Sequence, residues 1–370
     1  MYIKSLKLQN FRNYAEESFA FDPAVNLICG ENGQGKTNLL EAAAACSTMR
    51  LFRTAQKKEG LRFGENHAFI FADFAAQERD ISLELRFSRT KAMEIYKNGV
   101  RQKRQSDTQG LLKTVLFCPE DLMLVRAGAA ARRRFLDTAL CQMRPNYARY
   151  LEEYNRLHEH KTRILRDSEE KPSLLSMWED FSLRMAHIGA QIIRYRAYYC
   201  RKLLKAAAAV YADIAPHEVL SGVYKTVSSI TDPFADVRTI EKQLIDHVFS
   251  HKTAEIAAKS CLSGPHKDDL ELLLDGRSAA SFGSQGQVRT CTLSLKLAER
   301  ELFFDEDGEY PVLLLDDVLS ELDRRRQDFV LNRISAGQVM ITCCEDGISE
   351  KLRAGAVFHI QNGKKSAETH

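Results

Sequence analysis

Gly30-Glu31-Asn32-Gly33-Gln34-Gly35-Lys36-Thr37 fits the spacing G-x-x-x-x-G-K-[ST]. It stands between an apolar run, Val25 to Cys29, and a helix-forming run that opens Asn38-Leu39-Leu40-Glu41-Ala42. No other feature of the chain constrains its fold as much. A buried strand that turns through glycines into a helix N-terminus belongs to an α/β sheet. The turn offers backbone N–H groups and the positive end of the helix dipole to an anion. At this spacing Lys36 neutralises β/γ-phosphate oxygens and the Thr37 hydroxyl ligates Mg²⁺. A glycine turn with an exposed lysine would not need the strand before it and the helix after it.

Three further segments supply complementary chemistry. Val312-Leu313-Leu314-Leu315-Asp316-Asp317 reads as a buried parallel strand ending in two carboxylates. Asp316 is placed to hold Mg²⁺ and Asp317 to polarise an attacking water. Phe282-Gly283-Ser284-Gln285-Gly286-Gln287 opens a helical run from Val288 to Phe304, and a Ser-x-Gly turn of this kind is either a helix cap or a second anion site. Ser320-Glu321-Leu322-Asp323, after the acidic strand, reads as an interface turn and a helix cap.

The 370 residues allow two to three units at roughly 150 residues each. The first third alternates as strands: Ile3 to Leu8, Phe19 to Phe21, Val25 to Cys29, His67 to Phe74, Ile81 to Phe87 and Val115 to Cys118. Asn98-Gly99 marks a tight hairpin. From about Glu120 the pattern becomes helical, over Ala129 to Met143, Asn146 to Asp167 and Leu174 to Ala215, with breaks at Pro145, Pro172 and Pro216. Strands return near Leu270 to Leu274, Val312 to Leu315, Gln338 to Thr342 and Val357 to Ile360, and Gly363 to His370 reads as a loose tail. The expected division is a core of residues 1–118 and 262–370 around an inserted helical lobe of residues 119–261, with the helix 284–304 packing on that lobe.

Whole-chain charge is only +3, but it is unevenly spread. Arg86 to Arg166 carries 18 Lys/Arg against 8 Asp/Glu, and Arg300 to Asp328 carries 4 against 10. The first suggests a polyanion surface and the second a metal or acid–base centre. No apolar run reaches the roughly 18 residues of a membrane span, Met1-Tyr2-Ile3-Lys4 opens directly into a strand-like alternation and not an h-region with a cleavage site, and nine cysteines fall without disulfide-like rhythm. The chain reads as cytosolic and reduced.

In order, these motifs resemble the ABC-type P-loop ATPase heads of the SMC-like class, and within it the RecF family. The resemblance starts at Leu6-Lys7-Leu8-Gln9-Asn10-Phe11-Arg12-Asn13-Tyr14 and runs through the phosphate loop. It continues with Phe117-Cys118-Pro119-Glu120-Asp121-Leu122, Arg132 to Asp137, Ser263-Gly264-Pro265-His266-Lys267-Asp268-Asp269 and Ser284 to Gln287. It implies an α/β head with a mixed sheet built from both ends of the chain, and an inserted helical lobe carrying a short arm. It also implies a DNA-dependent role in gap repair and replication-fork maintenance in the bacterial cytoplasm, at the nucleoid, with RecR and RecO as partners and RecA loading as the output.

The same resemblance implies that ATP with Mg²⁺ is bound by Gly30 to Asn38, with Arg12 and Asn13 nearby. It makes Ser284 to Gln287 a signature segment gripping the partner's ATP in a homodimer, Ser320 and Asp323 a D-loop, and Glu120 the occupant of the Q-loop position. The chain departs from the wider ABC pattern twice. Asp317 stands where a glutamate is usual, and Thr342 and Cys343 stand where a switch histidine is usual, so slow hydrolysis is expected.

The DNA expectation rests on Lys97, Arg101, Lys103 and Arg104 around the hairpin and on Arg132, Arg133 and Arg134. Arg149, Arg156, Arg163 and Arg166 on successive helical turns add to it, tracking phosphates without reading sequence. A transporter's nucleotide-binding subunit would share the phosphate loop but carry the switch histidine and a less basic lobe. A small-molecule kinase would leave the turn at Ser284 without a purpose. His158-x-His160 and His247-x3-His251 have metal-like spacing without an obvious set of co-ligands.

Overall fold

The computed structural model describes residues 1–54, 56–344 and 355–366. The first strands are β1 (Tyr2–Phe11), β2 (Tyr14–Ala20) and β3 (Val25–Cys29), followed by α1 (Lys36–Thr48). Next come β4 (His67–Ala76), β5 (Arg79–Ser88), β6 (Glu94–Lys97), β7 (Val100–Arg101) and β8 (Thr114–Phe117). The middle holds α2 (Ala129–Met143), α3 (Pro145–Asp167), α4 (Trp178–Ile214), β9 (Leu220–Lys225), α5 (Val237–Ser250), α6 (Lys252–Ala258), β10 (Asp269–Leu274), β11 (Arg277–Ser278) and α7 (Ala279–Phe282). The remainder is α8 (Gln285–Asp307), β12 (Val312–Leu315), α9 (Arg324–Arg333), β13 (Val339–Cys343), β14 (Ala356–Gln361) and β15 (Lys364–Lys365).

Two compact units result, one of residues 1–123 with 289–370, the other of residues 124–288. In the first unit two sheets form. One runs β15-β14-β3-β13-β12-β8 and so joins both ends of the chain; β14, β3, β13, β12 and β8 are parallel and β15 is antiparallel to β14. Its central strands read VNLIC, VLLL and VMITC and are almost wholly buried, as a parallel sheet covered on both faces requires. The other, β2-β1-β4-β5-β6-β7, is an antiparallel meander. A register shift between Ile3 and Ser5 against β4 lets Ile3 and Leu6, three residues apart, both face the core. Gln338, fully buried, accepts from Ile3 N at 2.7 Å and donates to the carbonyls of Ile3 and Asp22 at 2.8 Å each, tying the start of β13 in one sheet to β1 in the other.

The unit boundaries differ from the expected 118/119 and 261/262. Strand β10 alternates like a core strand, but it pairs with β9 and β11 in a separate three-stranded sheet, so residues 262–288 lie with the helices. From Arg289 onward α8 belongs to the first unit instead of the helical one. Thr290 Oγ1 accepts from Arg326 Nε at 2.9 Å, and Lys296 pairs with Asp121 at 3.4 Å. Pro145 opens α3 at its first turn, and α4 starts at Trp178 after a 3₁₀ turn over Pro172–Met177. Part of the expected tail is a strand: Asn362 and Gly363 turn the chain into β15, and residues 367–370 lie outside the described residues.

Within the second unit, α3 and α4 are a helix pair of 23 and 37 residues. Arg196 of α4, 3% exposed, anchors the unit's polar core. It donates to both Asp137 oxygens at 2.9 and 3.0 Å, to Pro265 O at 2.7 Å and to Asp268 Oδ2 at 3.1 Å. Lys161 and Glu255, both buried, pair at 2.6 Å, and the Trp178 indole donates to the same carboxylate at 3.1 Å. The Ser263–Asp269 motif is thus part of this scaffold. His247 stacks on His251 and His158 lies against His266, and no group of three or more metal-ligating side chains occurs among the described residues.

Glu299 on α8 is 3% exposed, and burial pushes its carboxyl up to about 7, with the Lys296 ammonium opposing a larger rise. Its folded pKa therefore lies above the ordinary 4.5. As pH rises through that window the native state holds a proton the unfolded chain has released, so stability falls. Glu299→Gln is expected to match wild type near pH 4 and to exceed it at pH 8 by on the order of 2 kcal/mol. Urea unfolding across pH 4–8 checks this, and parallel profiles for the two proteins would remove Glu299 as the cause.

Candidate nucleotide site

The loop between β3 and α1 is built for an anion. Gly35, at φ 122°, precedes α1 and has no side chain to cap it, and no acidic residue lies in the helix's first turn, which leaves the helix N-terminus suited to an anion. A Cβ on Gly30, at φ +147°, would fall 2.4 Å from Ile360 O, and one on Gly35 would fall 2.7 Å from Asn13 Nδ2. Both positions therefore require glycine. Lys36, 5% exposed, donates from Nζ to Gly30 O at 2.5 Å and Glu31 O at 3.3 Å, so its ammonium lies among the loop's own carbonyls.

Residues far along the chain hold this loop. Asn13 donates to Gln34 O at 2.8 Å and accepts from Asn38 Nδ2 at 2.8 Å, while Tyr14 OH donates to Gly35 O at 3.0 Å. Gly363 N donates to Gln34 O at 2.9 Å and Asn362 N to Gln34 Oε1 at 2.7 Å. Tyr14, Asn362 and Gly363 were not foreseen from sequence. Arg12, expected near the nucleotide, grips buried Glu41 of α1 through Nε at 2.7 Å and Nη2 at 3.0 Å, and Glu59 O through Nη1 at 2.9 Å.

The acidic strand end meets the loop directly. Asp316 Oδ1 accepts from Thr37 Oγ1 at 2.9 Å and from Thr342 Oγ1 at 3.0 Å. Burial raises the Asp316 carboxyl; the two hydroxyl bonds lower it, and the nearby charges of Asp317 and Glu120 raise it further. Glu120 follows β8, which pairs in register with β12, and Phe117 O accepts from Asp316 N at 2.9 Å. Glu120 is therefore brought near the acidic pair. Asp317 sits at φ 51°, uncommon for a non-glycine residue; its N–H donates to Thr342 Oγ1 at 2.7 Å, and its carbonyl accepts from Ser320 Oγ at 2.7 Å. Thr342 thus holds both acidic residues.

Ser284 and Gln287 form a reciprocal capping box at the start of α8. Ser284 Oγ accepts from Gln287 N at 3.2 Å, and Gln287 Oε1 accepts from Ser284 N at 2.8 Å, with Ser284 and Gln285 exposed and Gly286 between them and Gln287. Asp323 caps α9 through Arg326 N at 3.1 Å, and Arg289 holds the intervening turn through Glu321 O at 2.6 Å.

The basic residues separate into two sorts. Arg132 is a bidentate partner of Asp269 at 2.7 and 2.8 Å, and Arg133 donates to Asp268 O at 2.6 Å, so both serve the helical unit's own scaffold. Arg134, Lys103 and Arg104 are exposed, Lys97 half-buried, and Arg101 exposed but paired with Glu94 at 2.8 Å. Arg149, Arg156, Arg163 and Arg166 line exposed turns of α3, with Arg163 and Arg166 beside Glu159 and Asp167.

The residues fit a triphosphate and its metal. The helix start lacks a side-chain cap, the glycines at the loop's two ends cannot carry a side chain, and one hydroxyl and one carboxylate converge at 2.9 Å. Magnesium bound together with phosphates asks for one or two such protein ligands, not an all-protein cage.

The model of the RecF/RecN/SMC N terminal domain family matches residues 2–366. The chain is 35% identical over 368 residues to the DNA replication and repair protein RecF of Clostridium tetani, across 98% of this chain and 99% of that one. It is 38% identical over 374 residues to the protein of the same name from Lactobacillus johnsonii, across 100% of each. Among solved structures, that of the recombination mediator protein RecF-ATP in the RecFOR pathway is similar with a TM-score of 0.91 at 31% identity, over 99% of this chain and 98% of that chain. An Smc head domain from Pyrococcus furiosus, 15% identical with a TM-score of 0.55 over 99% of this chain and 95% of that one, is similar in fold. No helix among the described residues is long and apolar enough to cross a membrane. The chain belongs to the RecF family of DNA replication and repair proteins and carries the ABC-type ATPase head fold of the RecF/RecN/SMC class.

Proposed function

We propose that the protein is an ATP-gated DNA clamp whose two copies sandwich two ATP molecules. The observation that carries this is the convergence of Lys36, Thr37 and Asp316 at the start of α1, with Thr37 and Asp316 hydrogen-bonded at 2.9 Å. The loop from Gly30 to Asn38, Asn13 included, cradles the phosphates through backbone N–H groups, and Lys36 grips them. Thr37 and Asp316 would hold Mg²⁺, which when bound neutralises phosphate charge. Ser284 and Gly286 of the second copy contact the same phosphates from the other side, and Ser320 and Asp323 order the turn at that interface.

Asp317 orients the attacking water. Its carboxylate is one methylene shorter than the usual glutamate, and Thr342 is occupied with Asp316 and Asp317, so hydrolysis is slow and times release. DNA phosphates are tracked by Lys97, Lys103, Arg104, Arg134 and the α3 arginines, sequence-independently and with steep salt dependence. In the cell this clamp, with RecR and RecO, promotes RecA loading at gaps.

Turnover by the purified chain is expected to lie well below the median enzyme rate of about 10 per second without DNA and to rise when gapped duplex is added. Steady-state phosphate release measures it. A DNA-independent turnover at or above that median would contradict the timing role.

A further inference from the structure

Phe63 is 101% exposed, the most exposed large apolar side chain among the described residues, yet its backbone is well anchored. It stands second in a turn closed by Glu65 N donating to Arg62 O at 3.0 Å, with Gly64 at φ +85° in the place where a type II turn needs glycine. Both flanks are tied down. Leu61, 8% exposed, bridges to Phe11, and Arg62 N donates to Asn10 O at 2.8 Å. On the other side Arg89 N donates to Asn66 O at 3.1 Å and Arg89 Nη2 to Glu65 O at 3.2 Å. A side chain that gives nothing to the core is thus held out on a fixed support.

The surroundings of this turn are cationic. β4 begins at His67 opposite Ser88, the last residue of β5, so the turn before β4 and the loop of residues 89–91 after β5 share one end of the antiparallel sheet. Ser88 Oγ accepts from Thr90 N and Lys91 N at 3.3 Å each, which orders that loop. Arg62, Arg89 and Lys91 are all exposed, and none has an ion-pair partner among the described residues. β7 leads Lys103 and Arg104 back toward the same end, since Arg101 pairs with Tyr96 and Gln102 N donates to Ile95 O at 2.8 Å. One aromatic face among unpaired cations matches a polyanion that carries flat rings between its phosphates. An intact duplex offers no such ring face, because its bases already stack on one another.

We propose that Phe63 is a stacking platform for an unpaired base of single-stranded DNA, whose flanking phosphates pair with Arg62, Arg89 and Lys91. In gapped DNA such bases lie beside duplex, so this site tells a gap from an intact helix. Any base has a face to stack, and the contact therefore selects DNA structure without selecting sequence. The site deepens the DNA part of the clamp proposed above and rests on it.

Fluorescence anisotropy of the full-length chain with Mg-ATP, on oligothymidylate, a gapped duplex and an intact duplex, tests this. Phe63→Ala is expected to weaken binding to oligothymidylate and to the gapped duplex about tenfold. It should leave the intact duplex within about twofold and, with Phe63 outside the core, melt like wild type. Phe63→Leu keeps apolar bulk without a ring face and should lose most of the same affinity, whereas Phe63→Trp should bind like wild type. In Phe63→Trp, oligothymidylate should quench the added indole; the chain's own tryptophan, Trp178, is fully buried. Arg62→Gln and Lys91→Gln should each lower the slope of log affinity against log salt on oligothymidylate by about 0.7. Wild-type binding of all three DNAs by Phe63→Ala would overturn the platform and leave the turn as a protein-docking surface. An equal loss on all three, wild-type binding by Phe63→Leu, or no quenching in Phe63→Trp would also overturn it. Failure of the broader DNA reading is distinct, because the wild-type chain would then ignore the intact duplex as well.

Discussion

Lys36→Met lowers ATP affinity by roughly 100-fold, about 3 kcal/mol, while leaving thermal unfolding close to wild type. The two halves of this expectation come from different properties of the side chain. Lys36 is 5% exposed and its Nζ lies among the loop's own carbonyls, so a phosphate chain on the α1 N-terminus meets an ammonium that is already positioned. Charge-assisted bonds in such a partly desolvated site are the strong ones. Methionine keeps an unbranched stem of similar length, so the packing around α1 survives. The carbonyls it leaves, Gly30 O and Glu31 O, belong to a half-buried and an exposed loop residue. Titration with a fluorescent ATP analogue, paired with a melting curve, separates the effects. Wild-type affinity in the variant would mean the phosphates sit elsewhere.

Ser284→Arg abolishes ATP-driven dimerisation while leaving nucleotide binding by the monomer within about twofold. Ser284 is exposed and caps α8 in a box with Gln287, and that pairing alone would explain a serine there. The proposed second role, toward the partner's ATP, cannot tolerate a guanidinium at the contact point. Loss of the cap costs about 1 kcal/mol, and the Gln287 carbonyl oxygen still accepts from the residue-284 N–H, so the helix persists. Analytical ultracentrifugation with ATP distinguishes the roles: a variant that still dimerises leaves Ser284 as a cap and nothing more.

The parts of the site that were legible from sequence are those whose chemistry is local. Gly30 to Thr37 must turn, cap and bind within eight residues, and Asp316 must end a buried strand, so both were recognisable from residue order alone. What was not legible depends on which distant segment arrives beside them. Tyr14 on Gly35, Asn362 and Gly363 on Gln34, and Thr342 on Asp316 are such cases. Charge behaves likewise. Arg132 and Arg133 look like any basic run until Asp268 and Asp269 come across from residues more than 130 positions away. Strand β10 shows the same limit for the fold, since alternation fixed that it is a half-buried strand but not that β9 would be its neighbour. The left-handed backbone of Asp317 carries no sequence signal, because aspartate adopts that conformation only where its surroundings enforce it.

In the proposed clamp, ATP assembles two copies around DNA. Sedimentation of the purified protein with Mg-ATP, Mg-ADP or no nucleotide, with and without a gapped duplex, tests it most directly. The expected result is a dimer that appears with ATP but not with ADP and retains DNA in that state. A chain that stays monomeric with ATP and leaves the DNA boundary unshifted would contradict it.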